Sequence, residues 1–228
     1  MGSILGAFIG DSLGSYLEFK CGVMKKETVD KCMSMPGGGP HMLAPGQVTD
    51  DSELAMCLMH GLVEGEGKLD MSKVVRYYGL WFQEGPFDRG NTCSNALREI
   101  NPDKPNPLEP RSAALQKNRK SMSNGSLMKI TPMAVYCQNL PNARLKYAVE
   151  QDVVLIHSCY SMKEIIAAYC IAIKSLIQNH DKADRAQTAF DEAKNFIEDN
   201  LVQEWLAEAQ ALVGQETDGF ITLKEYDP

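Results

Sequence analysis

Apolar residues recur at three- and four-residue spacing almost from end to end of this chain, and nowhere alternate with polar ones as a half-buried strand requires. Segments at roughly 4–19, 51–64, 71–84, 126–139, 143–156, 161–179, 183–200 and 202–213 read as helices. Three stretches rich in Gly, Pro or Asn separate some of them: MPGGGPHMLAPGQ (35–47), EGPFDRGNTCSN (84–95) and NPDKPNPLEP (101–110), the last read as an exposed excursion. No internal repeat is visible. With 228 residues the chain is long enough for one sizeable core and short for two, so the pattern predicts a single all-α domain over residues 1–228.

Charge and composition narrow the function classes. A formal net charge of −7 argues against binding a nucleic-acid backbone, which needs clustered Lys and Arg. The longest uncharged apolar run, Ile165 to Ile173, is too short to span a bilayer, so no membrane role is expected. The N-terminus lacks a basic region before its apolar stretch, and Gly6 stands where a myristoylation motif needs Ser or Thr. Seven cysteines, an odd number with no C-x-x-C pair, fit a reducing cytoplasmic setting better than a disulfide framework or a zinc site.

Candidate chemistry gathers where helices meet loops. Thr49, Asp50 and Asp51 stand side by side at the mouth of an apolar segment. Asp50 followed three residues later by Glu53 fits a capping box, while a hydroxyl and two carboxylates also suit a hard cation. In PFDRGNT (86–92), Asp88, Gly90 and Asn91 suit either a turn or a substrate loop. In SNGSLMKITP (123–132), Ser123 or Asn124 caps the following helix, and the exposed N–H groups there suit an anion such as a diphosphate. His157 ends an apolar stretch, as a structural histidine or a ligand contact. Gly6, Gly10 and Gly14 form a small-residue ridge, which implies close packing or a ligand lying on that face. Glu18 closes the same helix at the dipole's unfavourable end, which a solvent-facing or a catalytic position explains.

Four ordered blocks, GAFIGDSLGSYLEF, GGGPHMLAPGQVTDDSELAM, PFDRGNTCSNAL and SNGSLMKITPMAV, together resemble the N-terminal two-thirds of the ADP-ribosylglycohydrolase family, over about residues 2–175. The resemblance implies an orthogonal all-α bundle with two Mg²⁺ ions, or Mn²⁺ in their place, in a cleft between helix ends. It implies an ADP-ribosylated protein or ADP-ribose as partner, arginine-linked by the DRGN loop. By position, Thr49, Asp50 and Asp51 become metal ligands, and Asp51, Glu18 and Asp88 the catalytic carboxylates. Asp88, Gly90, Asn91, Ser123, Asn124, Gly125 and His157 become substrate contacts. The oligomeric state is left open.

Two departures qualify that expectation. Lys129 stands where the family usually has Arg, keeping the charge but losing the bidentate fork. The family's second acidic motif, Gly-Asp-x-Asp with a nearby Thr, has no match. Thr217-Asp218-Gly219 lacks the pattern, so the chain reads as C-terminally incomplete. The alternative to an active hydrolase is therefore a non-catalytic nucleotide-binding or structural member of the family. An unrelated helical interaction protein is disfavoured by the four blocks.

Overall fold

The computed structural model describes residues 1–20 and 24–212, and these fold as eleven α-helices with one isolated antiparallel bridge, Gly38 to Leu43. In order they are α1 (Gly2–Gly14), α2 (Lys26–Cys32), α3 (Asp50–Glu64), α4 (Met71–Gln83), α5 (Asn91–Leu97), α6 (Leu108–Lys117), α7 (Thr131–Tyr136), α8 (Asn142–Val153), α9 (Tyr160–Gln178), α10 (Arg185–Phe196) and α11 (Asn200–Leu212). Cys21 and the Thr217-Asp218-Gly219 string lie outside the described residues.

The long amphipathic helices build one continuous core. On α3, Leu54, Leu58 and Leu62 recur every four residues and face Val74, Val75, Tyr78 and Trp81 of α4. Gly61 permits that contact, since a Cβ there would lie 2.6 Å from the Val74 Cα. The central element is α9, which buries Ile166, Ala167, Cys170 and Ile171 and packs against α7, α8, α10 and α11. Against α3 and α7 lies α1.

A buried ion pair ties this core together. Lys129, Asp152 and Tyr78 have no exposed surface. The Lys129 ammonium donates to Asp152 and, at 2.9 Å, to the Tyr78 hydroxyl, which itself donates to Asp152 Oδ1 at 2.7 Å. Burial and the Asp152 carboxylate push the Tyr78 hydroxyl well above its ordinary pKa. Lys129 acts here as a point donor in a closed triad.

Several elements differ from the sequence expectation. Seven-residue α5 lies in the stretch read as loop, where two turns are too short to show a period; Cys93, Ala96 and Leu97 still bury its inner face. In the stretch read as an exposed excursion, α6 begins with Pro107 as N-cap and Pro110 buried in its first turn. First-turn N–H groups have no intrahelical partner, so proline is tolerated there. The expected helix over 126–139 divides into a 3₁₀ turn at Asn124–Ser126 and α7, because Pro132 has no N–H to continue the ladder backwards. Neither Ser123 nor Asn124 supplies a side-chain cap. Short α2 was not foreseen. The first helix ends at Gly14, so Glu18 sits in the turn beyond it, ahead of Phe19 at φ 57°. A Cβ added at Gly6, Gly10 or Gly14 of α1 would meet nothing within 4 Å, so close packing among the described residues does not explain the glycine ridge.

Replacing Lys129 by Met leaves the Asp152 carboxylate buried and uncompensated, a loss of about 3–5 kcal/mol in urea denaturation. The double variant Lys129→Met, Asp152→Leu is expected to recover most of it.

Candidate functional site

The start of α3 is capped from another helix. Its N-cap residue, Thr49, makes no capping bond of its own. Instead the Asp11 carboxylate, one turn from the end of α1, accepts the Thr49 N–H at 3.0 Å and its hydroxyl at 2.7 Å. It also accepts the Ser52 N–H at 3.2 Å and the Ser52 hydroxyl at 2.5 Å. Ser52 is the third helical residue, whose free N–H an N-cap side chain ordinarily satisfies. The capping box expected from Asp50 and Glu53 does not form, because Glu53 instead accepts the Trp81 indole N–H at 2.7 Å. With the cap supplied by Asp11, the side chains of Asp50 and Asp51 are released from that duty.

Those carboxylates are crowded. Asp50 is 7% exposed, and burial, then the charges of Asp88 and Asp51, push its pKa from 3.8 up to about 7; an opposing N–H from Gly90 limits the rise. Burial and Asp11 raise Asp51 as well, offset by the Thr49 hydroxyl. Glu18 adds to both. Among the described residues no lysine or arginine pairs with Glu18, Asp50, Asp51 or Asp88. Thr49, Asp50 and Asp51 are hard oxygen donors with uncompensated charge, the donor chemistry that suits a divalent cation.

Glu18 and Asp88 meet at His41, a residue the sequence did not single out. The Gly38–Leu43 bridge folds the glycine-rich loop into a tight hairpin with His41 near its tip. Gly39, at φ 69°, is required there: a Cβ would lie 2.8 Å from the Ser15 carbonyl oxygen. This close approach sets the hairpin on the turn that carries Glu18. His41 Nε2 lies 3.2 Å from Glu18 Oε2 and 3.3 Å from Asp88 Oδ2, with the Phe19 and Phe87 rings at 5.9 and 5.7 Å.

A second polar group is tied to α5. Gly90 is the N-cap of α5 and Asn91 its first residue, both exposed. Buried Asn118 donates to the Thr92 and Ile156 carbonyls at 2.8 and 2.9 Å, fastening α5 to the segment before His157. Gly125 packs on α5, where a Cβ would meet Cys93 Sγ at 3.0 Å. Ser123 and Asn124 are exposed, whereas His157 is fully buried behind them. Its ring hydrogen-bonds with the Ser126 hydroxyl at 2.7 Å and the Ser123 hydroxyl at 3.3 Å. Burial and then Lys129 lower its pKa to about 4, so it is neutral at pH 7. No hydrogen bond or ion pair joins it to the carboxylates among the described residues.

The sequence model of the ADP-ribosylglycohydrolase family matches residues 1–226. A protein of Acanthamoeba polyphaga mimivirus named as an ADP-ribosyl glycohydrolase is 34% identical over 195 residues, covering 80% of this chain and 56% of that protein. The ADP-ribosyl-[dinitrogen reductase] glycohydrolase of Rhodospirillum rubrum is 36% identical over 98 residues, 43% of this chain and 33% of the relative. An ADP-ribosylarginine hydrolase of Pseudomonas putida is 32% identical over 164 residues, 67% of this chain and 40% of the relative. A solved structure described as an ADP-ribosylglycohydrolase-related protein complex has the same fold, with a TM-score of 0.62 at 24% identity over 78% of this chain and 55% of that one. The chain spans about half the length, or less, of the curated relatives it matches.

Two outcomes test the geometry. Asp11→Ala removes the cap of α3 and is expected to cost about 2 kcal/mol in thermal or urea unfolding, with Asp11→Asn retaining part of it as an acceptor. The raised Asp50 pKa favours the protonated folded state. In chelator, its contribution to stability is therefore present below about pH 4 and lost as pH rises to about 7. The stability difference between wild type and Asp50→Asn, followed by urea unfolding from pH 4 to 8, should grow in the variant's favour across that window.

Proposed function

Because the chain belongs to the ADP-ribosylglycohydrolase family, we propose that it is a Mg²⁺-dependent hydrolase releasing ADP-ribose from ADP-ribosylated side chains, arginine-linked ones first. The observation that carries the reading is the crowd of carboxylates around Asp50, whose own pKa is raised to about 7, with no lysine or arginine partner among the described residues. Thr49, Asp50 and Asp51 would hold Mg²⁺, two ions by family resemblance, with Mn²⁺ as a substitute. Bound there, the cation supplies Lewis acidity toward ribose hydroxyls and a water.

The chain's own residues do the rest. Cleavage at the anomeric carbon develops oxocarbenium-like positive charge, which the carboxylates of Glu18, Asp51 and Asp88 stabilise. One of these three also moves the proton between water and the leaving group. Asp88, Gly90 and Asn91 at the start of α5 present a carboxylate to the guanidinium or the distal ribose. Ser123, Asn124 and Gly125 offer hydroxyl and backbone donors to the diphosphate, and neutral His157 orients Ser123 and Ser126 from behind.

Among the described residues no helix is long and apolar enough to cross a membrane. The six described cysteines are free, and burial pushes the thiols of Cys57 and Cys93 up to about 12. Free thiols among the described cysteines support a reducing, cytoplasmic location.

ADP-ribose release from an ADP-ribosyl-arginine peptide, followed with Mg²⁺ and with a chelator, tests this. Asp51→Asn should lower the metal-dependent rate at least about 100-fold. Release indifferent to chelator and to Asp51→Asn overturns the metal assignment. ADP-ribose binding without release identifies the non-catalytic binding member instead.

A further inference from the structure

We propose that Glu18, His41 and Asp88 form a binding site for a zinc-class transition-metal ion, distinct in ligand set from the all-oxygen group Thr49-Asp50-Asp51. Its three ligand atoms, one from each side chain, all lie within 4.8 Å of one another. The telling atom is His41 Nε2. It is buried and, among the described residues, lacks a hydrogen-bond partner, although Glu18 Oε2 is only 3.2 Å away and Asp88 Oδ2 only 3.3 Å. A histidine in an ordinary ion pair aims its N–H along the line to one carboxylate oxygen. Here neither oxygen lies along that direction, so both ion-pair distances are short and neither is a hydrogen bond.

The spacing suits a tetrahedral ion. Bonds of about 2.0–2.1 Å from a tetrahedral zinc to nitrogen and oxygen place the donor atoms about 3.3 Å apart. The two separations involving His41, 3.2 and 3.3 Å, are close to that value. The imidazole also discriminates between metals. Mg²⁺ takes oxygen ligands in near-ideal octahedra, whereas imidazole beside carboxylate suits zinc and its transition-metal neighbours. Charge points the same way, since among the described residues no lysine or arginine pairs with Glu18 or Asp88.

The ligands are held by three separate segments that the fold fixes in place. Glu18 is on the turn after α1, His41 near the tip of the Gly38–Leu43 hairpin, and Asp88 on the loop before α5. Gly39 against Ser15 sets the hairpin on the first turn, and the Phe19 and Phe87 rings flank the imidazole. Three protein ligands leave a fourth position for water or another ligand, as in exchangeable rather than closed structural zinc sites.

The test uses the tag-free full chain without substrate, so the presence or absence of hydrolase activity does not bear on it. Zn²⁺ affinity is measured by competition with a chromophoric chelator, and Co²⁺ absorption reports the coordination. The wild type should bind Zn²⁺ with a tetrahedral Co²⁺ spectrum free of thiolate charge-transfer bands. His41→Gln and Asp88→Asn, each checked for an unchanged far-UV spectrum, should each lose at least about 100-fold in affinity, more than loss of an outer-shell partner costs. Asp51→Asn should stay within about tenfold, since it removes charge but no ligand. No Zn²⁺ binding by the wild type, or equal affinity in wild type and His41→Gln, overturns the site and leaves His41 as a bridge between two carboxylates.

Discussion

The Asp11 carboxylate is the contact on which the rest of the site depends. It gathers the backbone and hydroxyl donors of Thr49 and Ser52, and so fixes the angle at which α3 meets α1. A helix N-terminus must satisfy its free N–H groups somewhere. Had Asp50 or Asp51 met that need, its oxygens would point back into the helix. Capping from α1 leaves both carboxylates at the head of α3 with acceptor capacity to spare. The same contact adds to the negative field, since Asp11 raises Asp51.

A concentration of carboxylates is tolerable only on a scaffold that cannot relax to separate them. The Lys129–Asp152–Tyr78 triad is part of that scaffold, satisfying one buried charge with another between α4, α8 and the segment leading into α7. The Lys129 charge also reaches the His157 ring and helps keep it neutral. One buried cation therefore serves the packing of the core and, second to burial, the neutral state of the residue behind Ser123. Asn118 is the third fixture, binding α5 to the end of the stretch before His157 through two carbonyls.

Membership of the ADP-ribosylglycohydrolase family accounts for the four ordered sequence blocks. Family resemblance is the source of the metal-ligand roles proposed for Thr49, Asp50 and Asp51. His41 has a different standing. It bridges the turn after α1 and the loop before α5, and it makes Glu18 and Asp88 neighbours. Whatever occupies the space between these three side chains also sets how two of the three carboxylates in the proposed chemistry are shared.

The sequence by itself determined the long elements and the hard-oxygen triplet. Helices α3, α4, α8 and α9 fall within a few residues of their expected bounds, because twelve or more residues let a 3.6-residue period show through. Thr49, Asp50 and Asp51 are legible because they adjoin in the chain. Short α5 and α6 were hidden, being held by burial of a few side chains and a tolerated proline rather than by periodicity. Asp11 and Thr49 are 38 residues apart, Lys129 and Tyr78 are 51 apart, and His41 meets partners on two other segments. Propensity and local spacing act over about one helical turn, so they specify which helices exist and what each carries. Which carboxylate caps a neighbouring helix, and which histidine lies between two acids, is decided only when packing brings distant segments within bonding distance.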